Sequence, residues 1–120
     1  MTKSKITKET APMDQDINIM GTPYSVYFDS PDNSEFDGET RLYQKQIHVR
    51  PKDKMFLDFE AATPSENEER YKHVMRHEIL HAFLFECGMT EYSQDETLVE
   101  FLASTAPKLF AIYKEHNLLD

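Results

Sequence analysis

Two histidines four residues apart enclose a glutamate in the run His77-Glu78-Ile79-Leu80-His81. On a helix, positions i and i+4 share one face a turn apart, so both imidazoles can point at a single metal ion. Glu78 adjoins the first histidine and can reach a water held by that ion. The pattern H-E-x-x-H is therefore two ligands and one general base, the arrangement of zinc hydrolases. A charged helix face with two solvated histidines would carry the same five letters, but the context favours the ion. Val74 and Leu84 extend the stripe of the histidine pair by about a turn each way, and Ile79, Leu80, Ala82 and Phe83 make the flanking faces apolar. A helix apolar nearly all round is expected to be buried, and there two imidazoles and a carboxylate need partners.

A catalytic zinc takes three protein ligands and keeps one position open for water. The third ligand is expected from another element, and the acids on offer are Glu86, Glu91, Asp95, Glu96 and Glu100. Glu86 shares the helix of the motif, beyond easy reach, and Glu91 falls in the connector after it. Glu96 and Glu100 are four apart on the next helix. One can bind the ion while the other accepts a hydrogen bond from a ligand imidazole and fixes its tautomer. Glu96 is the favoured ligand, with Glu100 as its support or as the alternative ligand. Without an ion, Glu96 is the capping-box partner of Ser93 and Glu100 a solvated helix residue; spacing alone does not decide.

The elements that must position these groups can be read on either side. Thr63-Pro64-Ser65-Glu66 is a helix start, with threonine as cap, proline at the first helical position and glutamate closing a capping box. The helix is predicted from Pro64 to Cys87, with Gly88 as terminator and Cys87 as a core residue at its end. His73, one turn before His77, lies too far along a straight helix to reach the same ion and is placed on the surface or beside the ligands. After the connector Gly88 to Tyr92, a second capping box, Ser93-Gln94-Asp95-Glu96, opens a helix to about Ser104. Thr105-Ala106-Pro107 ends it, and a third helix of about 107–116 carries Leu109, Phe110, Ile112 and Tyr113 as core and cover.

Upstream the periodicity is that of strands. Ile17 and Ile19 alternate with polar neighbours, Gly21-Thr22-Pro23 marks a turn or bulge, and Tyr24, Val26 and Phe28 alternate again. The segment 29–40 reads as a solvated loop, its acids off the spacing of a calcium loop. Arg41 to Arg50 is a second strand, with Tyr43, Ile47 and Val49 on one face and Gln44, Gln46 and a solvent-facing His48 on the other. Pro51 ends it or places it at an edge. The two strands are expected to pair antiparallel, with 29–40 as the hairpin loop. Met55, Leu57 and Phe59 alternate as a short third strand or a loop laid on the core. The fold class is α+β: a small antiparallel sheet packed on a long H-E-x-x-H helix, closed by two further C-terminal helices.

The 120 residues bound the answer to one domain with one modest core, at 39% hydrophobic content. Residues 1–16 are polar and are expected as a mobile tail before a single domain of 17–120. The lysines there precede no apolar segment, so no secretory signal is read, and no stretch approaches the roughly 18–20 apolar residues of a membrane span. A net charge of −9 speaks against nucleic acid as direct partner. The single cysteine excludes an internal disulfide and fits a reducing, cytoplasmic compartment.

The run Arg76-His77-Glu78-Ile79-Leu80-His81-Ala82-Phe83, followed by Glu96-Thr97-Leu98-Val99-Glu100-Phe101-Leu102-Ala103, resembles the small phage- and prophage-encoded zinc metallopeptidases related to the ImmA/IrrE family, pared-down enzymes of the thermolysin type. The resemblance covers about 17–109 and is strong over 71–103. It implies Glu96 as the ligand of the second motif. Glu100 stands where the family often has asparagine, and Ser104-Thr105-Ala106-Pro107 replaces the usual ending. No helix-turn-helix or sensor segment is recognised, so substrate and regulation do not carry over. The expectation is a Zn2+-dependent metallopeptidase acting on a protein or peptide, or meeting a regulatory protein, in the host cytoplasm if phage-encoded. Tyr92, Tyr71 and His73 are the candidate donors to the carbonyl oxygen, and a substrate strand is expected at the edge near Gln46 to Arg50. The alternatives are a phage-type interaction protein with a structural or vestigial zinc and no protease activity, and a metal-free α+β domain.

Overall fold

The computed structural model describes residues 16–29, 36–55 and 63–120. The expected tail 1–16, apart from Asp16, and the Leu57 and Phe59 positions of the possible third strand lie outside the described residues. Among the described residues four strands, β1 (Ile17–Ile19), β2 (Thr22–Phe28), β3 (Gly38–Arg41) and β4 (Gln46–Val49), precede a short 3-10 turn at Lys52–Lys54. Three helices follow: α1 (Pro64–Glu86), α2 (Thr90–Ser93) and α3 (Glu96–Glu115). The chain is α+β as expected, but the sheet is mixed. Its order is β1-β2-β4-β3, with β2 and β4 parallel and the other two pairs antiparallel.

The mixed sheet corrects the expected two-strand hairpin. The stretch read as one strand, Arg41 to Arg50, contains a turn at 42–45, and β3, with which its second half pairs, takes three of its four residues from the segment read as loop. Lys45 supplies the left-handed residue of that turn, at φ 60°. Glycine or asparagine usually marks such a position, so the sequence carries no turn signal there. Tyr43, assigned to the core face, sits on the turn and is exposed. β4 becomes an interior strand, and the edge expected near Gln46 to Arg50 belongs to β3 instead. His48 is accordingly buried, not solvent-facing: Tyr27 of β2 stacks on its ring at 4.7 Å, Asp29 holds Nδ1 at 3.1 Å and Gln46 Oε1 lies 2.9 Å from Nε2. The β1–β2 turn falls at Met20-Gly21, both with positive φ as a two-residue hairpin turn requires.

One face of the sheet packs on α1. Tyr24, Val26, Ile47 and Val49 from the central strands meet Val74 and Ala82 of the helix, with Ile19 and Met55 at the sides. The helix starts with the predicted capping box at Thr63 and Glu66. It ends at Glu86, and the φ of +83° at Gly88, just past the cap, allows Gly88 and Met89 to donate back to Phe85 and Leu84. Its buried side is one stripe, Val74, Glu78, His81 and Ala82. The expectation of burial all round is corrected: Phe83 is exposed, and Ile79, Leu80 and Leu84 are half-buried. Cys87 caps the helix and is exposed, not a core residue. Among the described residues, no helix is long and apolar enough to cross a membrane.

The C-terminal region also differs. Ser93 closes the single turn of α2 rather than opening a capping box, its hydroxyl donating to Thr90 O at 2.6 Å. Asp95 caps α3 by accepting from Leu98 N. The expected break at Thr105 to Pro107 is absent, and α3 runs through Pro107 without interruption. Proline has no N–H for the carbonyl four residues back, which here is Ala103. Arg76 of α1 supplies the missing donor, its Nε lying 2.9 Å from Ala103 O. Tertiary packing thereby satisfies what local sequence could not.

Arg76→Ala should cost about 1–2 kcal/mol by orphaning that carbonyl. In a Pro107→Ala background the helix regains its own donor, so the same substitution should cost less than half as much; urea unfolding of the four proteins measures the coupling. Purely additive effects would refute the account of Pro107. A second test concerns Glu86, which accepts from Lys45, Tyr24 and Thr22 and so ties the sheet to the end of α1. Hydrogen bonds from Lys45, then Tyr24 and Thr22, lower its pKa from 4.5 to about 2. A lowered pKa stabilises the fold above the unfolded value and loses that contribution as the group protonates. Glu86→Gln should therefore lower the urea midpoint at pH 7, with the deficit shrinking between about pH 4.5 and 2.

Candidate metal centre

α1 brings His77 and His81 to one side, and the start of α3 brings Glu96 against them. Their ligand atoms lie within 4.8 Å of one another. His77 Nε2 and His81 Nε2 are 3.3 Å apart. Glu96 Oε1 is 2.9 Å from the first and Glu96 Oε2 3.2 Å from the second. The other nitrogen of each ring is already committed. His81 Nδ1 donates to the carbonyl of Ser93 at 2.5 Å, and His77 Nδ1 donates to Glu100 Oε1 at 2.8 Å. A carbonyl only accepts, so Nδ1 of His81 carries the proton, and in the neutral ring Nε2 is a bare lone pair. The carboxylate acts in the same way on His77.

Two imidazole lone pairs and a carboxylate thus converge on one point. They repel one another unless a proton or a cation stands among them, and the set can hold a divalent metal ion. The residues fit such an ion on chemistry as well as distance. Both rings have their tautomers set by outer partners, which is how proteins orient histidine ligands. The cluster borders a cavity of about 690 Å³ lined by Phe36, Asp37, Gly38, Glu39, Thr40, Leu42, Arg70, His73, Val74 and the motif residues.

Glu78 lies on the same stripe but turns toward β3. Only 6% exposed, it accepts a hydrogen bond from the Thr40 hydroxyl at 2.6 Å, and Thr40 also reaches the Glu78 carbonyl at 3.0 Å. Gly38 gives the strand its close approach. A Cβ there would stand 2.7 Å from Val74 Cγ1 and 2.9 Å from Glu78 Oε2. Burial pushes the Glu78 carboxyl above its usual range; the Thr40 hydroxyl and the two imidazoles pull against that, and Glu96 adds to it. Glu100 is the contrary case. Burial would raise it, but hydrogen bonds from His77 and His73 prevail and hold it below the usual range.

The structure brings His77, His81 and Glu96 together in one cluster, with Glu100 against His77 and Glu78 buried beside it under β3. Glu100 does not join the three-residue cluster but bridges two rings, holding His77 with one oxygen and His73 Nε2, at 2.7 Å, with the other. His73 is thus beside the ligands, as placed. The remaining acids are elsewhere: Glu86 on the sheet side, Asp95 as a helix cap, Glu91 exposed on α2. Of the three candidate carbonyl donors only His73 lines the cavity. Tyr92 is exposed outside its lining, and Tyr71 packs against Phe28 beneath the Lys52 ammonium. Sequence reasoning missed Gly38 and Thr40, which it placed in a loop, and the Ser93 carbonyl. The first two belong to a four-residue strand too short to show a period, and a backbone acceptor leaves no mark in side-chain letters.

No protein-family model matches the chain, and neither does any curated protein or solved structure.

Proposed function

We propose that the chain is a zinc-dependent metallopeptidase, with His77, His81 and Glu96 as ligands and Glu78 as general base. The observation that carries this reading is the meeting of two imidazole Nε2 atoms and one carboxylate beside a separate, buried carboxylate. Nitrogens about 2.0–2.1 Å from a tetrahedral zinc lie about 3.4 Å apart, and the pair here is separated by 3.3 Å. Two histidines and a glutamate are the ligand set of thermolysin-type catalytic zinc. The resemblance of the two helical motifs to the ImmA/IrrE-related peptidases points the same way.

Bound zinc would supply a water acidified to near neutrality and a polarised substrate carbonyl. The chain's own residues do the rest. Glu78 takes the proton as the water oxygen attacks the peptide carbonyl carbon. It returns that proton to the amine nitrogen as the C–N bond breaks. A base of this kind works best with its pKa raised toward the working pH, and the burial of Glu78 under β3 acts in that direction. Thr40 holds one carboxylate oxygen and so limits how Glu78 can turn. Glu100 and Ser93 keep the imidazoles aimed.

Three converging ligands and an open cavity favour this reading over a structural zinc, which ordinarily has four protein ligands and no room for water. Among the described residues β3 lies at the sheet edge, and it lines the cavity, so an extended peptide can add to it as a further strand.

Elemental analysis of the purified full chain should find one zinc per molecule, lost in His81→Ala and in Glu96→Gln. Glu78→Gln should keep the zinc and lower peptide cleavage by about 10²–10⁴-fold. Undiminished cleavage by that variant would remove Glu78 from the mechanism. X-ray absorption of the zinc-loaded protein should show two imidazoles and only oxygen besides, one of them water; a closed shell of four protein ligands would favour the structural role.

A further inference from the structure

The cavity has a second end, which the proposed chemistry does not use. Arg70 lies two turns before His77 on α1, about 10 Å along the axis at 1.5 Å per residue, and it lines the same cavity. Its Nε donates to Asp37 Oδ2 at 2.9 Å. The other oxygen of Asp37 accepts from Arg50 Nε, also at 2.9 Å, so one carboxylate stands between two guanidinium groups. The two outer amino groups of Arg70 have no partner among the described residues, and the side chain is 41% exposed. A guanidinium offered in this way is a fork for a carboxylate.

β3 supplies an independent ruler. Asp37, just before the strand, touches Arg70, and Thr40 within it touches Glu78. The two are three residues apart in extended chain, again about 10 Å. A peptide lying along this edge would therefore span the distance from Arg70 to the reacting groups with three of its own residues. The charges along the cavity set where an acid on that peptide could sit. Asp37 is shared between Arg70 and Arg50 and Glu39 pairs with Arg41, whereas Glu78, Glu96 and Glu100 stand at the end with the histidines, so among the described lining residues Arg70 offers a substrate carboxylate its guanidinium donors.

We propose that Arg70 forms a carboxylate-binding subsite, selecting peptides with an acidic side chain or a free C-terminal carboxylate about three residues from the bond that is cut. The position relative to a cut bond rests on the metallopeptidase reading; the carboxylate site itself rests on Arg70 and its setting alone.

The test uses the zinc-loaded full chain and a random peptide library made with free and with amidated C-termini. Mass spectrometry of the products should show Asp and Glu enriched at one position about three residues from the cut. Enrichment that persists in the amidated library assigns the side chain; cuts confined to three residues from a free C-terminus assign the terminal carboxylate. Arg70→Gln keeps a donor toward Asp37 while removing the charge, and it should abolish the enrichment. Cleavage without such a preference, or with the preference intact in Arg70→Gln, overturns the subsite while leaving the peptidase reading in place. A parallel arm needs no turnover. Fluorescence polarisation with zinc-loaded Glu78→Gln should show an Asp-containing peptide binding about five- to tenfold more tightly than its Asn counterpart, as expected for a half-exposed charged hydrogen bond. The difference should vanish when Arg70→Gln is added. If the wild-type chain cuts nothing but this difference holds, the peptidase reading falls and the carboxylate site stands. Equal binding of the two peptides overturns the site.

Discussion

The register between α1 and the segment carrying α2 and α3 is held by two side chains of α1 that donate to backbone carbonyls. His81 reaches the carbonyl of Ser93, and Arg76, five residues earlier, reaches that of Ala103. Both acceptors belong to the main chain, so their positions follow the path of the backbone and not a choice of rotamer. With these two points joined, the first turn of α3 can only lie across the histidine pair, and Glu96 and Glu100 fall where they do. Arg76 has a further consequence. It relieves the carbonyl that Pro107 would otherwise leave without a donor, and α3 continues as one helix where an isolated peptide would bend or stop.

The opposite wall of the cavity depends on a different constraint, steric rather than polar. β3 comes so close to α1 that position 38 has no space for a side chain. This contact buries Glu78 and brings the Thr40 hydroxyl to its carboxylate. Two glutamates near the same point thus have opposite surroundings: Glu78 is enclosed and its affinity for a proton is raised, while Glu96 is 72% exposed and open to an ion. Two identical side chains differ in this way because each meets a different wall of the cavity.

Much of the site was legible because helical spacing is rigid. A separation of four residues places His77 and His81 on one face whatever surrounds them, and the same rule pairs Glu96 with Glu100. The ends of α1 were equally plain, since a capping box and a terminal glycine are local devices with their partners three or four residues away. Errors gathered where the partner was remote. In a two-strand hairpin His48 would face solvent; on an interior strand it has Tyr27 on one side and Glu39 on the other. Pro107 has the local signature of a helix stop because nothing in its vicinity announces Arg76. The turn at Lys45 was invisible because a lysine occupies a conformation that usually asks for glycine.

The amino-acid order alone determined a long capped helix bearing two imidazoles and a carboxylate, followed by a pair of acids at matching spacing, because such relations are periodic and extend over a few residues. Only the tertiary structure decided which acid faces the imidazoles, which ring nitrogen is left bare, and that a glycine and a threonine from a short edge strand enclose Glu78. Those outcomes depend on contacts between segments far apart in sequence, and their geometry arises from packing and backbone path, for which no local pattern of residues exists.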